Sequence, residues 1–357
     1  MTFSDSPKPA TLLDIAKALG ISRTTVSNAF NRPDQLSPEL REKILVTAKE
    51  MGYAGPNPTA RLLRTGQAGA IGVIFHESLL YAFSDPVAIA FLQGIASVCE
   101  PAKVSLLIVP MAKDGLIADT VNQAVVDGFI VYSTPDADIT TAKVLERHLP
   151  TVAVDRPGLT GVPSVGIDEH QAAHEATSHL IRLGHTRLGI ISMELQADGY
   201  EGKVDDQRMQ STTFPSTLDR LHGYLDALRE AGIDPQTVAI EERLNREESG
   251  FSATLALLNQ TPRPTAILAM SDRLAVGALR AAETLGLHVP KDLSIVGFDD
   301  IPLASQIRPR LTTVRQPLVE KGAVAARLLL ESVSQPISYR LPTELVIRDS
   351  SGVAPKE

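Results

Sequence analysis

Five polar side chains within six residues, Arg23, Thr24, Thr25, Ser27 and Asn28, carry the chemistry of nucleic-acid recognition. An arginine can bond guanine O6 and N7 in a two-pronged way, and an asparagine can do the same to adenine N6 and N7. Serine and threonine hydroxyls more often reach phosphate. A solvated face on a small helical bundle would carry the same residues. A second polar set lies beyond residue 150, at the ends of predicted strands: Asp155 and Arg156, Ser271, and Asp299. Arg220 opens a helix and Gln316 lies in a late connection. Carboxylates and guanidinium groups make paired, fixed-angle bonds to vicinal hydroxyls or to a carboxylate. A few such groups against apolar walls make a small-molecule pocket. Arg220 also reads as one side of a surface ion pair, and an Asp after a strand also reads as a helix cap, the reading given to Asp168 and Asp272. His185 in Leu183-Gly-His reads as a structural hydrogen-bonding residue. No G-x-G-x-x-G follows the first strand, and G-x-x-x-x-G-K-[ST], G-x-S-x-G and H-E-x-x-H are missing from the sequence. The single Cys99 leaves no disulfide framework and no Cys-rich zinc site. No catalytic residue, cofactor or metal is therefore expected.

The first polar set needs a helix to present it. Leu12, Ile15, Ala16 and Leu19 fall at helical spacing and Gly20 ends the pattern. Ser22 caps a second helix running to about Phe30, with Val26 and Ala29 inward, and Pro33 stops it. Ser37 before Pro38 starts a third helix, with Leu40, Ile44, Val46, Ala48 and Met51 as its apolar residues and Gly52 as its end. Two short helices joined by a tight turn, with a third behind, form the helix-turn-helix plan. Charge distribution agrees: residues 1–66 hold nine Lys and Arg against six acids, a net +3, and the remainder holds 25 against 36, a net −11. Residues 56–66 follow, where Asn57 can cap a helix opened by Pro58; a core of about seven residues is too short to be stable alone in water.

From Ala70 strands and helices alternate. Strands are predicted at 70–75, 105–109, 128–132, 151–155, 187–191, 266–269 and 294–298, and helices at 86–98, 168–183, 216–231, 249–259 and 272–285. Such alternation predicts two doubly wound parallel-sheet lobes, with the ligand at the carboxyl ends of the strands. The polar segment 194–215 reads as an inserted solvated loop, or a lid, near the mouth of that cleft.

The run from Thr11 to Asn31, with its Asp-Ile-Ala, Gly-Ile-Ser and Thr-Val-Ser elements, resembles the head of the lactose/galactose repressor family. The likeness continues through Arg41-Glu-Lys-Ile and Met51-Gly-Tyr. In the body it takes in Val154-Asp-Arg-Pro, Leu183-Gly-His-Thr-Arg-Leu-Gly-Ile, Ser271-Asp-Arg-Leu-Ala-Val-Gly, Ser294-Ile-Val-Gly-Phe-Asp-Asp and Leu311-Thr-Thr-Val-Arg-Gln-Pro. The resemblance implies an all-α helix-turn-helix head, a short hinge helix and a periplasmic-binding-protein-like body. It assigns base reading to Arg23, Thr24 and Asn28, with Ser22, Thr25, Ser27 and Asn31 completing the DNA-facing set. Asn28 departs from the Arg or His common there. Leu63 falls where the family inserts a wedge leucine into the minor groove, and Arg61 and Arg64 would hold phosphates or the groove floor; a plain linker is the alternative. Phe83 and Asp85 fall in the loop where the family places an aromatic over the ligand, and Asp155, Arg156, Arg220, Ser271, Asp299 and Gln316 match its effector positions. Ser271 departs from a common Asn.

The expected layout is a tail at 1–10, the head at 11–55, the hinge at 56–69, the body at 70–349 and a tail at 350–357. Lobe 1 spans about 70–166 and 300–335, and lobe 2 about 167–299 and 340–349. Chain crossings are expected near 165–168, 298–302 and 336–342. The expected function is a transcription regulator, a repressor, in the cytoplasm. It would bind a pseudo-palindromic operator as a homodimer under control of a sugar-, polyol- or nucleoside-like effector. A solute-binding protein of a transport system is the alternative, but the N-terminus lacks a signal-peptide pattern. No apolar run approaches the roughly 18 residues of a membrane span.

Overall fold

The computed structural model describes residues 10–53, 55, 62, 65–76, 78–110, 117–136, 138–156, 158–331 and 336–356. They form two units, 1–68 and 69–357. In the first, α1 (Leu12–Leu19) opens with a capping box. The Thr11 hydroxyl accepts from the Asp14 amide and the Asp14 carboxylate accepts from the Thr11 amide. Gly20 closes α1 at φ 64, a left-handed turn that glycine adopts without strain. Ser22 caps α2 (Arg23–Asn31) and Ser37 caps α3 (Pro38–Glu50). Ile15, Ala16, Val26, Ala29, Ile44 and Ala48 make the head core, and Phe30 meets Tyr53 edge-on. Val46, expected inside, is 49% exposed, because it sits two residues from both Ile44 and Ala48 on the outer side of α3.

The second unit runs β1 (Ala70–Phe75), α4 (Leu79–Ser84), α5 (Pro86–Ala102), β2 (Ser105–Pro110), α6 (Ile117–Gln123), β3 (Phe129–Tyr132), α7 (Ile139–Glu146), β4 (Thr151–Val154) and β5 (Ser164–Ile167). There follow α8 (Glu169–Arg182), β6 (Leu188–Ser192), β7 (Gly202–Lys203), α9 (Asp206–Gln210), α10 (Pro215–Glu230), β8 (Ala239–Glu242), α11 (Glu247–Leu258), β9 (Ala266–Ala269) and α12 (Asp272–Thr284). The chain ends with β10 (Ser294–Asp299), β11 (Thr312–Arg315), α13 (Leu318–Leu330), β12 (Ser338–Leu341) and β13 (Glu344–Val346).

Two sheets result, ordered β12-β5-β4-β3-β1-β2 and β13-β11-β10-β9-β6-β8-β7. Except for β7 and β13 the pairings are parallel. Each sheet buries apolar side chains on both faces beneath helices, which explains the continuous apolar runs of β1, β3 and β9.

The second crossing differs from expectation. Residues 300–315 stay with the second sheet, since β11 pairs with β10 from Val296–Thr312 to Asp299–Arg315. Thr312 and Thr313 are β-branched and fully buried, which suits a sheet interior. The chain changes lobes at Gln316–Pro317. The helix that follows, α13, packs so closely on α5 that a Cβ at Gly94 would meet the Val319 carbonyl. The third crossing lies between β12 and β13. The expected tail at 350–357 is largely docked: Ser350 is buried and donates to the Ile295 carbonyl at 2.6 Å, and Ala354 donates to the Leu183 carbonyl at 2.9 Å. His185 holds this segment, bonding Thr265 at 2.9 Å and the Gly352 carbonyl at 3.0 Å.

The inserted segment is pinned rather than loose. It supplies β7 and α9, and Arg208 bonds both Asp198 oxygens, at 2.6 and 2.8 Å, and the buried Glu242, at 2.7 Å. Those Arg208 bonds hold the Asp198 carboxyl at about 2. No helix among the described residues is long and apolar enough to cross a membrane.

Candidate functional site

Between the two sheets, at the carboxyl ends of their strands, lies a cavity of about 120 Å³. That volume is equivalent to about ten water-sized groups. Lobe 1 contributes Phe75 and His76 at the end of β1, Tyr132 and Ser133 at the end of β3, and Asp155 after β4. Lobe 2 contributes Met193, Asn245 and Asp299 at strand ends, and Glu169 and Arg220 from helices. Gln316 enters from the crossover. Several strand-end residues hold left-handed backbone without being glycine: Ser133 at φ 47, Asp155 at φ 48, Asp299 at φ 119 and Asp300 at φ 55. Each such conformation costs on the order of 1–3 kcal/mol and clusters where side chains must be aimed at a ligand.

The lobes touch around this cavity. The Ser216 hydroxyl donates to the Asp155 carbonyl at 2.5 Å, the Asp136 amide to the Thr213 carbonyl at 2.6 Å, and Arg340 to Asp168 at 2.8 Å.

Two ion pairs organise the walls. Arg220, 4% exposed, donates to Glu169 through Nε at 2.9 Å and a terminal nitrogen at 2.6 Å, and also to the Met270 carbonyl. Its guanidinium lies 3.5 Å from the Phe298 ring centroid. Lys321, fully buried, donates to both Asp155 oxygens and to Gln316 Oε1. Gln316 passes its amide N–H to Asp299 Oδ1 at 2.7 Å. Burial pushes the Asp299 carboxyl well above the usual range, and the nearby Asp272 adds to this against the pull of Arg220. Burial also raises Glu169, although Arg220 opposes it. Arg220 is raised overall, because Glu169 and Asp299 together outweigh the burial that disfavours its charge. Burial and then the Asp155 charge raise Tyr132, so its phenol stays protonated and able to donate. The cavity therefore offers carboxylate acceptors from both lobes beside a guanidinium donor and aromatic walls, a geometry suited to a polyhydroxylated molecule.

Of the expected ligand residues, Asp155, Arg220, Asp299 and Gln316 meet at this cavity. Four others do not line it. Asp85 is fully buried, caps α5 through the Val87 and Ala88 amides, and pairs with Arg273 at 3.2 Å. Arg156 turns to Asp136 at 2.5 Å and lines a separate cavity of about 80 Å³. Ser271 caps α12 and donates to Asn245 Oδ1 at 2.6 Å, so it positions a lining residue. Phe83 is 64% exposed; Tyr81, two residues earlier on α4, lines the cavity instead, since two steps turn a helix by about 200°. Asp272, read as a cap, gives that role to Ser271 and instead accepts from Thr313 and the Ile301 amide. Asp168 does cap α8. Among the residues missed are the polar groups Glu169, Asn245 and Tyr132 and, behind the wall, Lys321. Lys321 left a signal as a lone cation on an otherwise apolar helix face, and Tyr132 as the last residue of a predicted strand.

In the head, Ser22, Arg23, Thr24 and Asn31 are exposed, and Thr25, Ser27 and Asn28 half-buried. Ser22 and Thr25 serve the cap, their hydroxyls 2.8 Å apart. Asn28 donates to Gln35 at 3.1 Å, and Asn31 to the Ser27 carbonyl at 3.0 Å. Arg23 and Thr24 thus form the exposed leading edge of α2. Arg61, Leu63 and Arg64 lie outside the described residues. Just after them Gly66, at φ 70, donates to the Leu62 carbonyl at 2.8 Å.

Comparison with known proteins gives one pattern. Residues 11–57 match the profile described as bacterial regulatory proteins, lacI family, and residues 177–351 that of a periplasmic binding protein-like domain. A helix-turn-helix-type transcriptional regulator of Mycobacterium tuberculosis is 43% identical over 97% of this chain and 99% of its own. The ribose operon repressor of Haemophilus influenzae is 32% identical over 96% of this chain and 98% of its own. The crystal structure of the lac repressor dimer bound to operator and an anti-inducer superposes with a TM-score of 0.79 at 27% identity, covering 97% of this chain and all of that one.

Proposed function

Since the chain belongs to the lacI family of bacterial regulatory proteins, which are DNA-binding transcription regulators, we propose that it is a repressor whose operator affinity is set by a small sugar-, polyol- or nucleoside-like effector. The observation that carries this reading is the convergence of Asp155, Arg220, Asp299 and Gln316, drawn from both sheets and a crossover, on one cavity. A ligand that bonds both lobes favours one angle between them, and a change in that angle acts on whatever follows the head. Control of about 5- to 150-fold needs a coupling of roughly 1–3 kcal/mol. Residues 56–66, too short for a free-standing helix, are the lever, with Leu63 as the wedge and Arg61 and Arg64 on the phosphates. Arg23, Thr24 and Asn28 read bases, while Ser22, Thr25, Ser27 and Asn31 set the helix on the backbone. Two copies about a two-fold axis read a pseudo-palindromic site in the cytoplasm. Cellobiose is bound by a related regulator whose complex superposes at a TM-score of 0.69 and 27% identity, which favours a neutral carbohydrate here. The solute-binding alternative lacks support, because the relatives matched along nearly their whole length are regulators.

Operator binding by gel shift, with and without a ligand found by thermal shift, tests the reading. Ligand at about 100 times Kd adds roughly 2.7 kcal/mol of stability and is visible in such a screen. Leu63→Ala is expected to weaken operator binding and leave ligand affinity intact. Unchanged operator affinity refutes the wedge, and absence of any preferred palindrome refutes the regulator.

A further inference from the structure

We propose that Lys321 is the positioning residue that sets the charge class of the effector, holding Asp155 and Gln316 so that the cavity accepts an uncharged polyhydroxylated ring and rejects phosphate esters. This rests on the effector reading of the cavity given above.

Lys321 does not line the cavity; it stands behind it, on α13. Its neighbours on that helix are apolar and buried, among them Leu318, Ala325 and Leu328, so a leucine or methionine would pack there. Replacing a buried ion pair by apolar side chains is often neutral or stabilising, so stability alone gives no reason for an ammonium at this point. Its geometry does. The three N–H bonds of Nζ meet three acceptors, Asp155 Oδ1 at 2.8 Å, Asp155 Oδ2 at 2.7 Å and Gln316 Oε1 at 2.7 Å. An ammonium cannot accept a hydrogen bond, so it fixes which way the Gln316 amide faces. The amide N–H must then point to Asp299 Oδ1, which leaves Oδ2 as the Asp299 oxygen without a Gln316 bond. One cation behind the wall thereby orients carboxyl groups of both lobes, Asp155 in lobe 1 and Asp299 in lobe 2.

The charges follow. Lys321 offsets Asp155, Arg220 offsets Glu169, and burial favours a neutral Asp299. The remaining acid and imidazole on the wall, Glu194 and His76, are partly open to solvent. Both cations of the cavity region are committed to carboxylates. A phosphate would lose its water without gaining a free cation, whereas hydroxyls can donate to Asp155 and accept from Arg220 and from the protonated Asp299 carboxyl. Without Lys321, Asp155 becomes an unpaired carboxylate facing the ligand, and the preference shifts toward an amine.

The test is a thermal-shift screen followed by calorimetry on the full chain. It uses neutral monosaccharides, nucleosides and polyols, phosphate esters such as glucose 6-phosphate, and amino analogues such as glucosamine. The wild type is expected to be stabilised by neutral compounds and not by phosphate esters. In Lys321→Met, affinity for the best neutral compound is expected to fall about 10- to 100-fold, with its amino analogue gaining relative to it. A phosphate ester as the tightest ligand, or a folded Lys321→Met that keeps neutral affinity within about threefold and gains nothing for the amine, overturns the proposal. If Lys321→Met does not fold by circular dichroism, Asp155→Asn/Lys321→Met removes both charges. That pair is expected to fold with weakened neutral binding and no amine preference; wild-type affinity in it overturns the proposal. No response to any compound overturns the effector reading itself, a result distinct from altered selectivity.

Discussion

Replacing Arg220 by methionine leaves Glu169 buried without its cation, and the cost is set by how cheaply that carboxyl can take a proton. Burial already raises Glu169 above its ordinary 4.5, with Arg220 pulling the other way. In Arg220→Met the folded value rises further, so the folded state binds this proton more tightly than the unfolded chain does. Stability is then complete below about 4.5 and falls as pH rises. At 1.36 kcal/mol per unit above 4.5, the cost is at most about 3 kcal/mol at pH 7 and under about 1 kcal/mol at pH 5. Loss of the Phe298 stacking and of the bond to Met270 adds a further ~1–2 kcal/mol that does not depend on pH. In thermal unfolding, ~2–4 °C per kcal/mol is expected for a domain of this scale, so the pH-dependent part reaches up to about 6–12 °C at pH 7. Arg220→Met/Glu169→Gln should recover that part at pH 7, and both variants should lose the ligand response. Equal destabilisation of the single variant at pH 5 and pH 7, or a double variant no more stable than the single at pH 7, refutes the reasoning.

Further outcomes are expected. Burial raises Asp272 from 3.8 to about 7, so its contribution to stability is complete below about pH 4 and is lost as pH rises toward 7; Asp272→Asn, keeping Thr313 and the Ile301 amide as partners, should flatten that slope in melting curves taken from pH 4 to 8. In the head, Ser22→Ala should cost about 1 kcal/mol of helix stability by circular dichroism. Arg23→Ala should leave that stability unchanged and weaken operator binding by about 1–3 kcal/mol in gel shifts, with relaxed specificity at one base pair.

Much of the molecule was legible in residue order. Helical spacing and caps located α1, α2 and α3, and β-branched apolar runs located the central strands. Polar residues directly after strands marked Asp155 and Asp299, because open α/β sheets bind at those ends. Less was legible where pairing decides structure. The strands β7 and β12 are short and exposed and carry little apolar pattern of their own. Similarly, β11 looked like a connection until its pairing with β10 placed it in lobe 2. Within the site, Asp85 was read from its loop and Ser271 from a strand end, but each caps a helix start.

Local signals, such as a period of 3.6, a serine before a helix or a glycine after one, depend on neighbours a few residues away. The sequence by itself therefore determined the elements, the head and the ends of strands where a ligand could sit. What a side chain faces depends on residues far off in the chain. Asp155 meets Lys321 and Arg220 meets Glu169 only because, within each lobe, elements far apart in the chain pack together and bring them within 3 Å. Tertiary structure alone decided which carboxylates are paired, which oxygen of Asp299 is left without a Gln316 bond, and that a lysine on an apolar helix stands behind the site.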